Sequence, residues 1–218
     1  MTVDVTPDSP ARMVGLARAR QHPGALRKTA VGWIAAALLA VAPAARASDA
    51  EALWQALATR PNMVVVMRHT DASGRDGSAF DASGQCRGEN MLTGKGRRDA
   101  EAIGKAFAAH GLPPERLHVV ASAMCRTRDT ARLAFGKAEL DARLREFLSG
   151  RGGSLNEAMD AAEEWIRRLR GPNPVVLVTH LPNIDALTGE QIDFNEAVVT
   201  ESDAQGQLKV LGVLRLLP

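Results

Sequence analysis

Four side chains suited to binding or attacking phosphate stand just after β-branched runs in this chain of 218 residues. Arg68 and His69 follow MVVVM at 63–67, Arg126 lies a few residues past LHVVA at 117–121, and His180 follows PVVLVT at 174–179. In an open α/β sheet, ligands bind outside the carboxyl ends of the strands, so these positions predict convergence on one crevice despite a separation of more than a hundred residues. A guanidinium fork takes two phosphate oxygens at once, and a helix N-terminus adds oriented N–H groups and positive partial charge. A neutral imidazole attacks phosphorus and, unlike lysine, needs no large pKa shift to be unprotonated near pH 7. The set predicts an anion site suited to phosphate, in which one histidine attacks while the other stabilises charge. Each residue alone has a plainer use, a hydrogen-bonded structural histidine or a solvated arginine, and it is their joint placement that favours chemistry.

The elements that must position these residues alternate between strand and helix. A short helix is expected over 49–59, and Pro61-Asn62 separates it from the unalternating run 63–67, the pattern of a strand buried on both faces. Residues 71–91, DASGRDGSAFDASGQCRGENM, have no apolar periodicity and predict a long loop of the kind that carries function. A helix from Thr93 to about His110 has Ala100, Ile103, Ala106 and Phe107 at helical spacing and stops at Gly111 before Pro113-Pro114. The strand at 117–121 leads to Ser122, expected to cap a helix running to about Phe135. A third helix covers 154–170 and a third strand 174–179. A brief helix near Ile184 precedes two strand-like runs, 196–200 and 208–216, which form a closing hairpin. The predicted fold is α/β, a three-layer α/β/α domain with a largely parallel central sheet and a C-terminal hairpin.

Composition bounds the remaining possibilities. Charged residues make up 24% of the chain and hydrophobic residues 45%, values of an ordinary globular domain. Two cysteines exclude a disulfide framework or a four-cysteine zinc module. Of 27 basic and 25 acidic side chains, residues 1–47 hold six and two, so the remainder carries 21 and 23 and gives no sign of a nucleic-acid partner. Arg27-Lys28, the uncharged run TAVGWIAAALLAVAPAA and Ala45-Arg46-Ala47 have the form of a signal peptide with a small-x-small cleavage site. The expected division is a cleaved signal peptide at 1–47 and one domain at 48–218, periplasmic or secreted, with no stable membrane anchor after cleavage. Export exposes the only two cysteines to oxidation, which predicts a Cys86–Cys125 disulfide tying the 71–91 loop to Arg126. Among the other polar residues, His110 is expected to cap a helix end, His118 to be structural within a strand, His22 to leave with the leader and Arg128 to face solvent.

The stretches Arg68-His69-Thr70, Ser122-Ala-Met-Cys-Arg126-Thr-Arg-Asp-Thr130-Ala131 and Val178-Thr179-His180 resemble, in order, the segments that mark the histidine phosphatases of the phosphoglycerate mutase-like superfamily. Thr70 stands where the first signature has glycine, and Leu92-Thr93-x-x-Gly96 matches a helix-opening pattern common in the family. The resemblance spans about residues 62–181. It implies that His69 is the phosphorylated nucleophile, that Arg68, Arg126 and His180 bind the phosphate, and that no metal or organic cofactor takes part. Leu144-Arg145-Glu146 resembles the family's Leu-x-Glu context and implies Glu146 as general acid, with Asp71 a weaker candidate. The expected activity is metal-independent hydrolysis of a phosphomonoester or phosphohistidine, on a small molecule or a protein. A phosphomutase and a non-catalytic phosphate-binding protein are the alternatives. A zinc hydrolase fits least, because no closely spaced ligand set accompanies the two histidines.

Overall fold

The computed structural model describes residues 41–74, 78–146 and 154–217. The expected leader therefore lies outside the described residues up to position 40. The first described helix, α1, runs Val41–Thr59, longer at its start than the 49–59 expected.

Asn62 turns the chain with a positive φ of 59° into β1 (Met63–Arg68), every residue of which is buried. Around it the remaining strands β2 (His118–Ser122), β3 (Glu139–Asp141), β4 (Val175–Thr179), β5 (Glu196–Ser202) and β6 (Leu208–Arg215) complete one six-stranded sheet in the order β3-β2-β4-β1-β5-β6. The pairings β1–β4, β2–β4 and β2–β3 are parallel, while β5 runs antiparallel to β1 and to β6. Alternation along β1 divides the core as the pleat requires. Met63, Val65 and Met67 join Trp54, Ile103, Phe107 and Phe135 on one face, and Val64 and Val66 join Ala161, Ile166 and Ile184 on the other. The first face is covered by α1, α2 (Gly94–Ala109) and α3 (Cys125–Phe135), the second by α4 (Leu155–Arg168) and α5 (Leu181–Thr188), which makes three layers. Phe107 meets Trp54 and Phe135 edge to face at 5.0 and 5.2 Å. Such pairs contribute about 0.5–1.5 kcal/mol beyond their area.

Apart from the early start of α1, helix ends follow the sequence signals except one. Thr93 caps α2 by accepting from Gly96 N, Ser154 caps α4 by accepting from Glu157 N, and His110 closes α2 with Nδ1 donating to Ala106 O. Close approach explains Gly96 and Gly104: a Cβ at either would lie 2.0 Å from a carbonyl oxygen, of Asp71 and Ala134 respectively. The exception is α3. Its N-cap is Met124, with no side-chain cap, because Ser122 is still paired in β2 with Asp141 and its hydroxyl reaches only the Met124 N–H, one residue short of the helix. The three-residue edge strand β3 was not expected; two of its three residues are exposed, too few for a periodic signal.

Cys86 and Cys125 form the disulfide, with Cα atoms 5.8 Å apart and a sequence separation of 39. Closing a loop of roughly 40 residues limits the unfolded chain by about 4 kcal/mol in the chain-entropy model. We therefore expect Cys86→Ser/Cys125→Ser to lose on the order of 2–4 kcal/mol in denaturant unfolding, with a raised m-value because the unlinked denatured chain exposes more surface. A loss below about 1 kcal/mol would show that native strain offsets the entropic gain.

Candidate active site

Strand register brings the chemistry together. Arg68 pairs with Thr179 and Ala121 with Val178, so β1, β4 and β2 end at one level, which puts His69 and His180, just past their strands, beside Ser122, the last residue of β2. The two imidazoles face each other at 5.6 Å between ring centres. Arg126, only 1% exposed at the start of α3, lies between them. Its Nε donates to His69 Nε2 at 3.1 Å, Nη1 to Ser78 Oγ at 3.0 Å, and Nη2 to Glu146 Oε2 at 2.6 Å and His180 Nδ1 at 3.2 Å. Four of the expected residues, His69, Arg126, Glu146 and His180, are thus joined directly. Arg68 closes the group from the side, its guanidinium carbon 4.1 Å from the centre of the Phe194 ring, which also stands 5.7 Å from the His69 ring.

The hydrogen bonds define the proton on each imidazole. His69 Nδ1 lies 2.8 Å from the Thr70 carbonyl, which only accepts, so Nδ1 carries the hydrogen and Nε2 keeps its lone pair. His180 Nδ1 accepts from Arg126, so its hydrogen is on Nε2 and is donated to Ser122 Oγ at 3.0 Å. Complete burial holds His180 well below the usual histidine range, reinforced by the charge of Arg126 and by the neighbouring His69 and Arg68. It is a neutral hydrogen-bonding group at pH 7. The arginine–glutamate pair is a buried one, with side chains 1% and 2% exposed.

Thr70 fits its position without strain. It is not among the residues with positive φ, so nothing in its backbone demands glycine. Its N–H donates to Thr130 Oγ1 at 3.1 Å and its hydroxyl lies 3.2 Å from the same oxygen, while Thr130 Oγ1 donates to Arg126 O at 2.8 Å. The chain beside the nucleophile candidate is thereby tied to the helix that carries Arg126.

The 71–91 loop is built around two carboxylates. Asp81 accepts from Ser83 N, Ser83 Oγ and Arg87 N, and these bonds, the Ser83 hydroxyl first, pull its pKa down to about 2. Glu89 accepts from Asp81 N and from Cys125 N at 2.7 Å, so an anion of the protein already occupies part of the α3 N-terminus. Arg128 does not simply face solvent as expected; it donates to Gly84 O and Cys86 Sγ and helps hold the loop. Asp71 accepts from the Thr93 hydroxyl at 2.5 Å and braces the start of α2. Sequence reasoning passed over Ser78, Glu89, Phe194 and Asn183. The first two lie in an aperiodic loop and Phe194 in a short connection, but Asn183, one helical turn after His180, had a spacing that marks it. Among the described residues no group of three or more His, Cys, Asp and Glu is arranged to hold a metal ion.

Comparison with known proteins follows this geometry. The family model described as histidine phosphatase superfamily (branch 1) matches residues 64–174, half of the chain; the match contains Arg68, His69, Arg126 and Glu146, and His180 lies just beyond its end. The open reading frame Rv3214 of Mycobacterium tuberculosis superposes with a TM-score of 0.55 at 18% identity, covering 71% of this chain and 98% of that one. The structure of mycobacterial hydrolase 1 gives 0.53 at 17% identity over 72% and 99%. A variant of TTHB049 from Thermus thermophilus gives 0.50 at 22% over 70% and 98%. At these identities the structures attest the fold. No curated protein matches in sequence. On the family match, with the same α/β fold in the solved structures, the chain belongs to the histidine phosphatase superfamily, branch 1.

Proposed function

We propose that this protein is a metal-independent phosphatase, exported to the periplasm or beyond, that hydrolyses a phosphomonoester or a phosphohistidine through a phosphohistidine at His69. The observation that carries the reading is the orientation of His69: Nδ1–H is held by the Thr70 carbonyl, leaving the Nε2 lone pair toward the Arg126 guanidinium. An incoming phosphate competes for Arg126 and, with Arg68 and His180, takes over donors now turned on protein groups. The Nε2 lone pair then forms the N–P bond as the bond from phosphorus to the leaving oxygen breaks, and Glu146 gives that oxygen a proton. In the second step a water oxygen attacks phosphorus, Glu146 takes its proton, and the N–P electron pair returns to Nε2. Positioned cations stabilise the charge on the transferring group, where most of the rate enhancement in phosphoryl transfer originates. The Cys86–Cys125 disulfide supports the exported setting.

Rapid quench with a phosphorus-labelled monoester should trap acid-labile, base-stable label on the mature chain, with free phosphate as product and undiminished turnover in chelator. An isomerised ester in place of free phosphate would make the protein a mutase. Binding without label or product would make it a phosphate-ligand protein.

A further inference from the structure

Asn183 is 1% exposed and sits in α5 one turn after His180. Its Nδ2 donates to the Leu144 carbonyl at 3.0 Å, to the Arg145 carbonyl at 3.4 Å and to Thr179 Oγ1 at 2.9 Å. The Thr179 hydroxyl in turn donates to the Leu144 carbonyl at 3.3 Å. Both carbonyls belong to the residues just before Glu146: Leu144 ends the 3-10 turn Ala142–Leu144, Arg145 follows it, and neither lies in a strand of the sheet. Asn183 Oδ1, by contrast, is buried and accepts no hydrogen bond from the described residues. A buried acceptor left without a donor costs stability, so what Asn183 contributes here is its donor side.

We infer that Asn183, assisted by Thr179, is a positioning residue that holds the backbone of 144–145 so that the Glu146 carboxyl reaches the leaving oxygen. This rests on the reading of Glu146 as general acid. A general acid works only within hydrogen-bond reach of the oxygen it protonates, and a displacement of about 1 Å costs on the order of a hundredfold in rate. The bond from Arg126 to Glu146 loosens once phosphate engages Arg126. The grip of Asn183 on the backbone does not involve phosphate and persists through the reaction. It also ties the segment bearing the acid to the same helix start that carries His180, so both groups move as one body.

The test compares Asn183→Ala and Thr179→Val with Glu146→Gln in the full mature chain, using β-glycerophosphate and p-nitrophenyl phosphate as probes. A nitrophenolate leaves without a proton and an alkoxide does not, so a misplaced acid shows only on the alkyl ester. Asn183→Ala should lower kcat on β-glycerophosphate by about ten- to a hundredfold and on p-nitrophenyl phosphate by less than about threefold. Thr179→Val, which is isosteric and keeps the fold if Asn183→Ala does not, should show the same selectivity at a smaller size. Equal losses on both probes, or none on either, overturn the inference when Glu146→Gln itself is selective for the alkyl ester. If Glu146→Gln is not selective, the general-acid reading falls and the inference with it.

Discussion

His69→Ala is expected to lower kcat by roughly a thousandfold or more and to abolish the trapped label, because the N–P bond of the proposed intermediate forms at its Nε2. Arg126 donates to both rings, at His69 Nε2 and at His180 Nδ1; they differ in their other nitrogen, since His69 Nδ1–H is held by the neighbouring Thr70 carbonyl and His180 Nε2–H by the Ser122 hydroxyl at the end of β2. The two histidines are therefore not interchangeable. His180→Ala removes a donor that stabilises charge, a loss on the order of a hundredfold, and should still trap label slowly. Quench-flow with both variants, checked for folding by circular dichroism, separates the roles. Near-normal turnover in His69→Ala, or label persisting on it, would sink the assignment of the nucleophile.

Glu146→Gln should reduce turnover of alkyl phosphates by about 10²–10⁴-fold while sparing p-nitrophenyl phosphate. Glutamine retains an oxygen to accept from Arg126 but has no proton to give and none to take. Truncation to alanine would be a poorer test, since removing one partner of a buried ion pair typically costs about 3–5 kcal/mol by stranding the other charge. The pair also explains how the acid is loaded. Arg126 holds the carboxylate at 2.6 Å in the free site. A phosphate that takes Arg126 removes that partner and brings like charge beside the carboxyl, which favours its protonated form. Equal losses on both substrates would point to damaged binding or folding. No loss on either would pass the proton to Asp71 or to water.

Much of this arrangement was legible in the residues alone. Unbroken β-branched runs such as MVVVM and VVLVT read as buried parallel strands, and the sites of α/β sheets lie at strand carboxyl ends, so Arg68, His69, Arg126 and His180 were located by local pattern. The helix starts at Thr93 and Ser154 and the cap at His110 were legible for the same reason, since such signals act on their own helix within a few residues. Glu146 came from a resemblance, and the disulfide from there being only two cysteines. What the sequence could not specify are contacts between segments far apart in the chain and lacking periodicity: Glu89 seated on Cys125 N, Ser78 on Arg126, Phe194 across Arg68, and Asn183 gripping the carbonyls before Glu146. Ser122 shows the competition directly. Locally it is a good N-cap, yet β2 extends through it to pair with Asp141, and its hydroxyl, which accepts from Met124 N, also takes the His180 Nε2 hydrogen. The tautomers of both histidines were likewise decided only when strand register set which carbonyl, guanidinium or hydroxyl each ring nitrogen meets. Propensity and periodicity act over a few residues; donor–acceptor pairing inside a buried site is settled by which distant groups the sheet brings within 3 Å, and that is a property of the tertiary structure.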